Sequence, residues 1–165
     1  MRRNEVIKTI TFSDPAYVPI YFVNRDQDQS DIVVIEVQNH FMGPGKNISE
    51  WGFTWERLDE TMGQPKDYVL QDWDNLTKMT LPDPTDPQRF VDVTEFNRKY
   101  PECFRMASLG LSGFTTMWCL RGFDRLMLDM ALDQRIVNTL ADIVFGFEDQ
   151  LIAELPRFDF DAVAF

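Results

Sequence analysis

Apolar positions change their period along this chain. Early on they come in short unbroken runs, Val18, Pro19, Ile20, Tyr21, Phe22, Val23 and then Ile32, Val33, Val34, Ile35, Glu36, Val37. Runs of this length, rich in β-branched side chains and parted by the polar residues 24–31, predict strands. The second is the clearer one, because Pro19 restricts the first to a strand start or an edge. Gly43, Pro44 and Gly45 mark a turn. Trp51, Phe53 and Trp55 then alternate with Gly52 and Thr54, which suits a strand or hairpin arm. Pro82, Pro84 and Pro87 make residues 81–87 an extended connector within one domain.

Beyond it the period lengthens. Residues 91–100 predict a helix stopped by Pro101, residues 104–109 a strand, and residues 110–113 a tight loop. A helix is expected from about residue 115 to 132. In the next, Ile136, Val137, Leu140, Ile143, Val144, Phe147, Leu151 and Leu155 recur in steps of three and four, forming a single apolar stripe. Asp133 is placed to accept from the free amides at its start. Pro156 ends it, and residues 161–165 predict a short core strand.

Strand, long helical stretch and strand in that order form a parallel βαβ unit. In parallel sheets the working residues sit on loops that leave the carboxyl ends of strands. This sequence finishes where such a loop would begin, so one flank of the sheet is expected to lack cover and to offer an edge for self-association. A closed (β/α) barrel takes ~250 residues, with ~200 near the lower limit. At 165 residues the chain falls short of one.

Charge narrows the partners. With 27 acidic against 16 basic side chains, the net charge of -11 repels nucleic-acid phosphates and anionic membrane surfaces. No apolar run approaches the ~20 residues that span a bilayer. Glu5 and Lys8 interrupt any secretory core, and two cysteines make no disulfide framework. The expectation is one cytoplasmic domain over residues 1–165.

Residues 110–129, GLSGFTTMWCLRGFDRLMLD, resemble the third-strand loop and following helix of the uroporphyrinogen decarboxylase superfamily. The resemblance is closest to the branch of methylcobamide-dependent methyltransferases, where Leu-Arg-Gly-Phe/Met-Glu-x-Leu-Leu-Met-Asp recurs. Three further stretches agree in order and spacing: Asn24, Arg25 and Asp26 with Ser30, Asp31 and Ile32; residues 50–56; and residues 160–165. The resemblance implies an α/β fold, a partial (β/α)8 barrel of roughly the first four strands with their helices. It spans about the first half of the family's length.

The same resemblance implies transfer of a methyl group between a small donor or acceptor and a corrinoid carried on a partner protein. In the thiol-directed members, zinc held by His and Cys forms the thiolate, and those ligands belong to the family's other half. In this sequence Cys103, Cys119 and His40 lack ligand-like spacing, so no metal site is expected and no cofactor is assigned to the chain. True uroporphyrinogen decarboxylases carry Met-Arg-Gln-Ala-Gly-Arg after the first strand, and its arginines pair with substrate carboxylates. Asn24 and Asp28 stand in those places here, which removes the means of holding a polyanion. Porphyrinogen decarboxylation in haem biosynthesis is therefore the second reading. A non-catalytic, truncated or self-associating half-barrel is the third.

Pocket candidates follow from position and chemistry. Asn24, Arg25 and Asp26 leave the first expected strand on its working side. His40, the single imidazole, follows the second and suits acid–base work or hydrogen bonding. Trp51 and Trp55 would either wall a pocket for an aromatic or corrinoid group or pack a hairpin. Gly110 and Gly113 allow a tight turn close to a ligand or to neighbouring backbone. Arg121 would either clamp an anion or pair with Asp124 or Asp129. Cys119, between Trp118 and Leu120, reads as a buried structural thiol.

Overall fold

The computed structural model describes residues 1–23, 27–38, 47–57 and 63–165, and the chain divides into two compact units. The first comprises Met1–Gln38, Asp86–Leu109 and Ile152–Ala164; the second comprises Asn39–Thr85 and Gly110–Leu151, with Phe165. Among the described residues, no helix is long and apolar enough to cross a membrane.

The first unit is built on a three-stranded parallel sheet. Helix α1 (Arg2–Ile10) precedes strand β1 (Ile32–Glu36). The second unit's hairpin strands are β2 (Thr54–Glu56) and β3 (Gln64–Lys66). Helix α2 (Val93–Lys99) and strand β4 (Phe104–Ser108) follow, and β5 (Ala162–Ala164) completes the sheet in the order β1-β4-β5. Ile32 lies opposite Phe104, and Met106 opposite Ala162. Val33 and Ala107 are fully buried, and α1 packs on β1 and β4 with Val6 inward. Phe90 stacks on Phe158 with ring centroids 4.7 Å apart. Helix α2 ends just before Pro101, which cannot continue it.

The partial barrel of four parallel strands is not what these residues form. The described residues hold three parallel strands and a separate two-stranded antiparallel sheet. Residues 18–23, expected as the first strand, are in no ladder. Their backbone groups are used locally instead: the Ile20 amide donates to the Asp31 carboxylate at 2.8 Å and the Phe22 amide to the Ser30 hydroxyl at 3.0 Å. Pro19 has no amide to offer. The outer edge of β1 is occupied by a side chain, since the Gln27 carboxamide accepts from the Val34 amide and donates to the Val34 carbonyl, each at 3.3 Å. That carboxamide stands in for a peptide unit, and Val18, Ile20, Tyr21 and Val23 remain exposed.

In the second unit, β2 pairs antiparallel with β3, with Trp55 opposite Pro65. The strand expected from Trp51 onward starts later, because the Ser49 amide donates to the Phe53 carbonyl at 2.8 Å and turns the chain there. The turn signal at Gly43, Pro44 and Gly45 lies outside the described residues. Helix α3 (Phe114–Arg121) and helix α4 (Phe123–Leu132) replace the single helix expected over 115–132. They part at Gly122, whose φ of +90° is not helical. Helix α5 (Gln134–Glu154) carries the expected stripe, with Val137, Leu140, Val144, Phe147 and Leu151 buried. The Ile136 amide donates to the Asp133 carboxylate at 3.4 Å, so Asp133 caps this helix as expected. Leu155 is also buried but belongs to the 3-10 turn Leu155–Arg157, which Pro156 helps to define.

Candidate functional site

Because β1, β4 and β5 are parallel, their carboxyl ends share one edge of the sheet, where ligands of such sheets bind. The Val37 amide donates to the Ser108 carbonyl at 3.0 Å and the Leu109 amide to the Ala164 carbonyl at 2.9 Å. Glu36 is exposed at this edge and Gln38 is buried. Glu36 and Gln38 thus put polar side chains at β1's end of this edge.

The 110–113 loop follows β4 in the chain. Gly110 and Gly113 take φ of +64° and +52°, a conformation that side-chain-bearing residues rarely adopt. The Thr116 hydroxyl donates to the Leu111 carbonyl at 3.0 Å. The Gly113 amide donates to Glu148 Oε1 at 2.6 Å. Burial pushes the Glu148 carboxyl above the usual carboxylate range, the Gly113 bond opposes that shift, and the charge of Asp149 reinforces it. The loop is thus held by side chains from α3 and α5.

Arg121 is not available as an anion clamp. Its Nη1 donates to the carbonyls of Leu70 and Gln71 at 2.7 and 2.9 Å, and its Nε to Asp129 Oδ2 at 2.7 Å. The guanidinium also lies over the Trp73 ring, 4.7 Å from its centroid. These contacts leave the side chain buried and committed to structure.

Trp51 is only 2% exposed and meets Phe147 edge-on, with centroids 5.0 Å apart and planes at 73°. It is a core residue. Trp55 sits half-buried on β2 within the hairpin. Asn24, Arg25, Asp26 and His40 lie outside the described residues. Of the sequence candidates, the structure therefore joins Gly110 and Gly113 in one loop, and directs Trp51 and Arg121 to packing.

Both cysteines are buried and free. Burial pushes the Cys119 thiol up to about 12, which disfavours the thiolate needed for metal binding or nucleophilic attack. Among the described residues, no group of His, Cys, Asp and Glu could hold a metal ion.

Three charged features were missed in the sequence. In a cleft of about 460 Å³ by the amino end of β4, Asp28 accepts from Lys99 Nζ at 3.1 Å. Hydrogen bonds from Tyr100 and Lys99 hold the Asp28 carboxyl below its ordinary range. Asp161 accepts from Arg3 Nε at 2.6 Å and from the Arg105 amide at 2.9 Å, while Arg105 Nη2 reaches Asp159 at 2.7 Å. Glu148 is the third. Its signal was legible: an acid four residues after Val144 and three before Leu151 falls within the apolar stripe. Compared with known proteins, the chain matches no family model, no curated protein and no solved structure.

Proposed function

We propose that the chain is the N-terminal portion of a corrinoid-linked methyltransferase similar to the uroporphyrinogen decarboxylase superfamily. The parent would move a methyl group between a small substrate and a cobamide on a partner protein, in a cytoplasmic setting that suits two free, buried thiols. The observation that carries this reading is the ordered set of four family-like sequence stretches, with the glycine loop of one leaving the carboxyl end of a parallel strand. In this reading the chain supplies pocket wall, with Asn24, Arg25, Asp26 and His40 as its polar candidates, while thiolate and metal chemistry belong to the rest of the parent.

The state of Asp28 favours methyl transfer over porphyrinogen decarboxylation. A carboxylate that Tyr100 and Lys99 keep ionised stands where the decarboxylases place a substrate-binding arginine. Paired with Lys99, it offers a polycarboxylate no cation in that place.

The test is to titrate the purified full-length parent with methylcobalamin, then separately with a porphyrin, and to follow each absorbance band. A cobamide-dependent change with methyl transfer to a small thiol or amine supports the proposal. Decarboxylation of uroporphyrinogen, with no response to cobamide, overturns it. Self-association is a second reading, favoured by the apolar cleft of about 340 Å³ beside β5, which among the described residues has a ladder neighbour on one side only. Gel filtration of this chain separates it from the first, since a monomer at all concentrations is incompatible with it.

A further inference from the structure

Glu148 is a buried acid with no part in the proposed reaction. Its side chain is tucked beneath the 110–113 loop from α5, and the residue is 6% exposed. Phe145, one turn earlier on the same helix, presses its ring on Gly113, where an added Cβ would come within 3.1 Å of it. Glu148 Oε1 takes the Gly113 amide at 2.6 Å, and that amide stands at the very start of α3. Together the ring and the carboxylate fix both the position and the hydrogen bonding of a residue in left-handed conformation.

We infer that Glu148 is the latch of the 110–113 loop: its carboxylate holds the Gly113 amide and so sets where α3 begins, and uptake of a proton loosens that hold. The step is a proton exchange alone. The carboxylate gains a proton and loses its charge, and a charge-assisted N–H···O⁻ bond becomes an ordinary one of roughly half the strength. Among the described residues, the charged group acting on Glu148 is Asp149, its neighbour on α5. Burial and Asp149 both favour the protonated form, and the Gly113 amide favours the charged one. The latch rests on the second unit's geometry alone, so it stands or falls separately from methyl transfer.

The test is an amide-resolved NMR titration of the full chain from about pH 4 to about pH 8, which brackets ordinary and raised glutamate values. The Gly113 amide proton is expected to move upfield as pH falls, with one midpoint above the ordinary glutamate range. Asp149→Asn should lower that midpoint and keep the titration. Glu148→Gln should abolish it, and Glu148→Ala should reduce protection of the Gly113 amide from exchange about tenfold. A Gly113 amide that does not titrate, or titrates in the ordinary range, overturns the inference. So does a titration that survives Glu148→Gln. If the Glu148 variants do not fold, the native chain and Asp149→Asn decide the matter on their own.

Discussion

Arg121 Nε and Asp129 Oδ2 are 2.7 Å apart although eight residues separate them. Along one straight helix that spacing would put their backbones ~12 Å apart, at 1.5 Å of rise per residue. The break at Gly122 folds α4 back against the end of α3 and makes the pair possible. The same guanidinium takes up the Leu70 and Gln71 carbonyls, and so ties the segment after the hairpin to both helices.

Removing that guanidinium should be expensive. Arg121→Ala leaves the Asp129 carboxylate and two carbonyls without their cation in a largely buried setting. A loss of about 3 kcal/mol in urea unfolding is expected. Arg121→Lys should recover part of it, because an ammonium keeps the charge and loses the fork. Equal stability of Arg121→Ala and the native chain would show that water replaces the cation freely.

Gly122→Ala tests the break itself. At φ +90° a side chain is strained, and its Cβ would approach the Tyr68 ring to 3.2 Å. A loss of roughly 2 kcal/mol follows from the backbone conformation. Circular dichroism should show unchanged helix content with a lower midpoint. A rise in helicity would mean that α3 and α4 had merged, as the sequence periodicity alone would have them do.

Asp161 joins α1 to the start of β5. Its carboxylate accepts from Arg3 and from the Arg105 amide, and its side chain is almost fully buried. Asp161→Asn turns a charge-assisted bond into a neutral one, and about 2 kcal/mol is expected. Amide exchange should accelerate first at β5 and the N-terminus of α1. Uniform acceleration across the chain would count against this local role.

Glu148 should make stability fall as pH rises from the acid range towards neutral. Burial raises the Glu148 carboxyl above its ordinary value of 4.5, so the folded state binds the proton more tightly than the unfolded state. The Glu148 contribution to stability is then present below the ordinary value and is lost as pH rises through the raised folded one. Urea unfolding of Glu148→Gln, measured against the native chain, should show a gain near neutral pH that vanishes in acid. A variant that gains equally at both ends would assign the effect to packing.

The long apolar stripe of α5, the strands at 32–37, 104–109 and 161–165, the cap at Asp133 and the stop at Pro101 were all readable from the order of residues. Each depends on neighbours within a few positions, where backbone geometry and side-chain period are coupled. The glycines of the 110–113 loop were readable too, since few other residues tolerate a positive φ.

What tertiary structure alone decided is which partners the polar groups found. Residues 18–23 have the composition of a strand, yet Asp31, Ser30 and Gln27 claim the hydrogen bonds that a ladder would need. For Arg121 the sequence leaves open an anion clamp or a pair with Asp124 or Asp129; the fold chooses Asp129 and adds Leu70 and Gln71, some fifty positions away. Glu148 stands out in the sequence only as an acid within an apolar stripe, and the fold supplies its partner, the Gly113 amide. Local pattern marks out the long helix and the three paired strands, because its forces act along the chain. The fate of a buried charge or an edge amide depends on desolvation and on groups remote in sequence, and only the assembled fold brings those together.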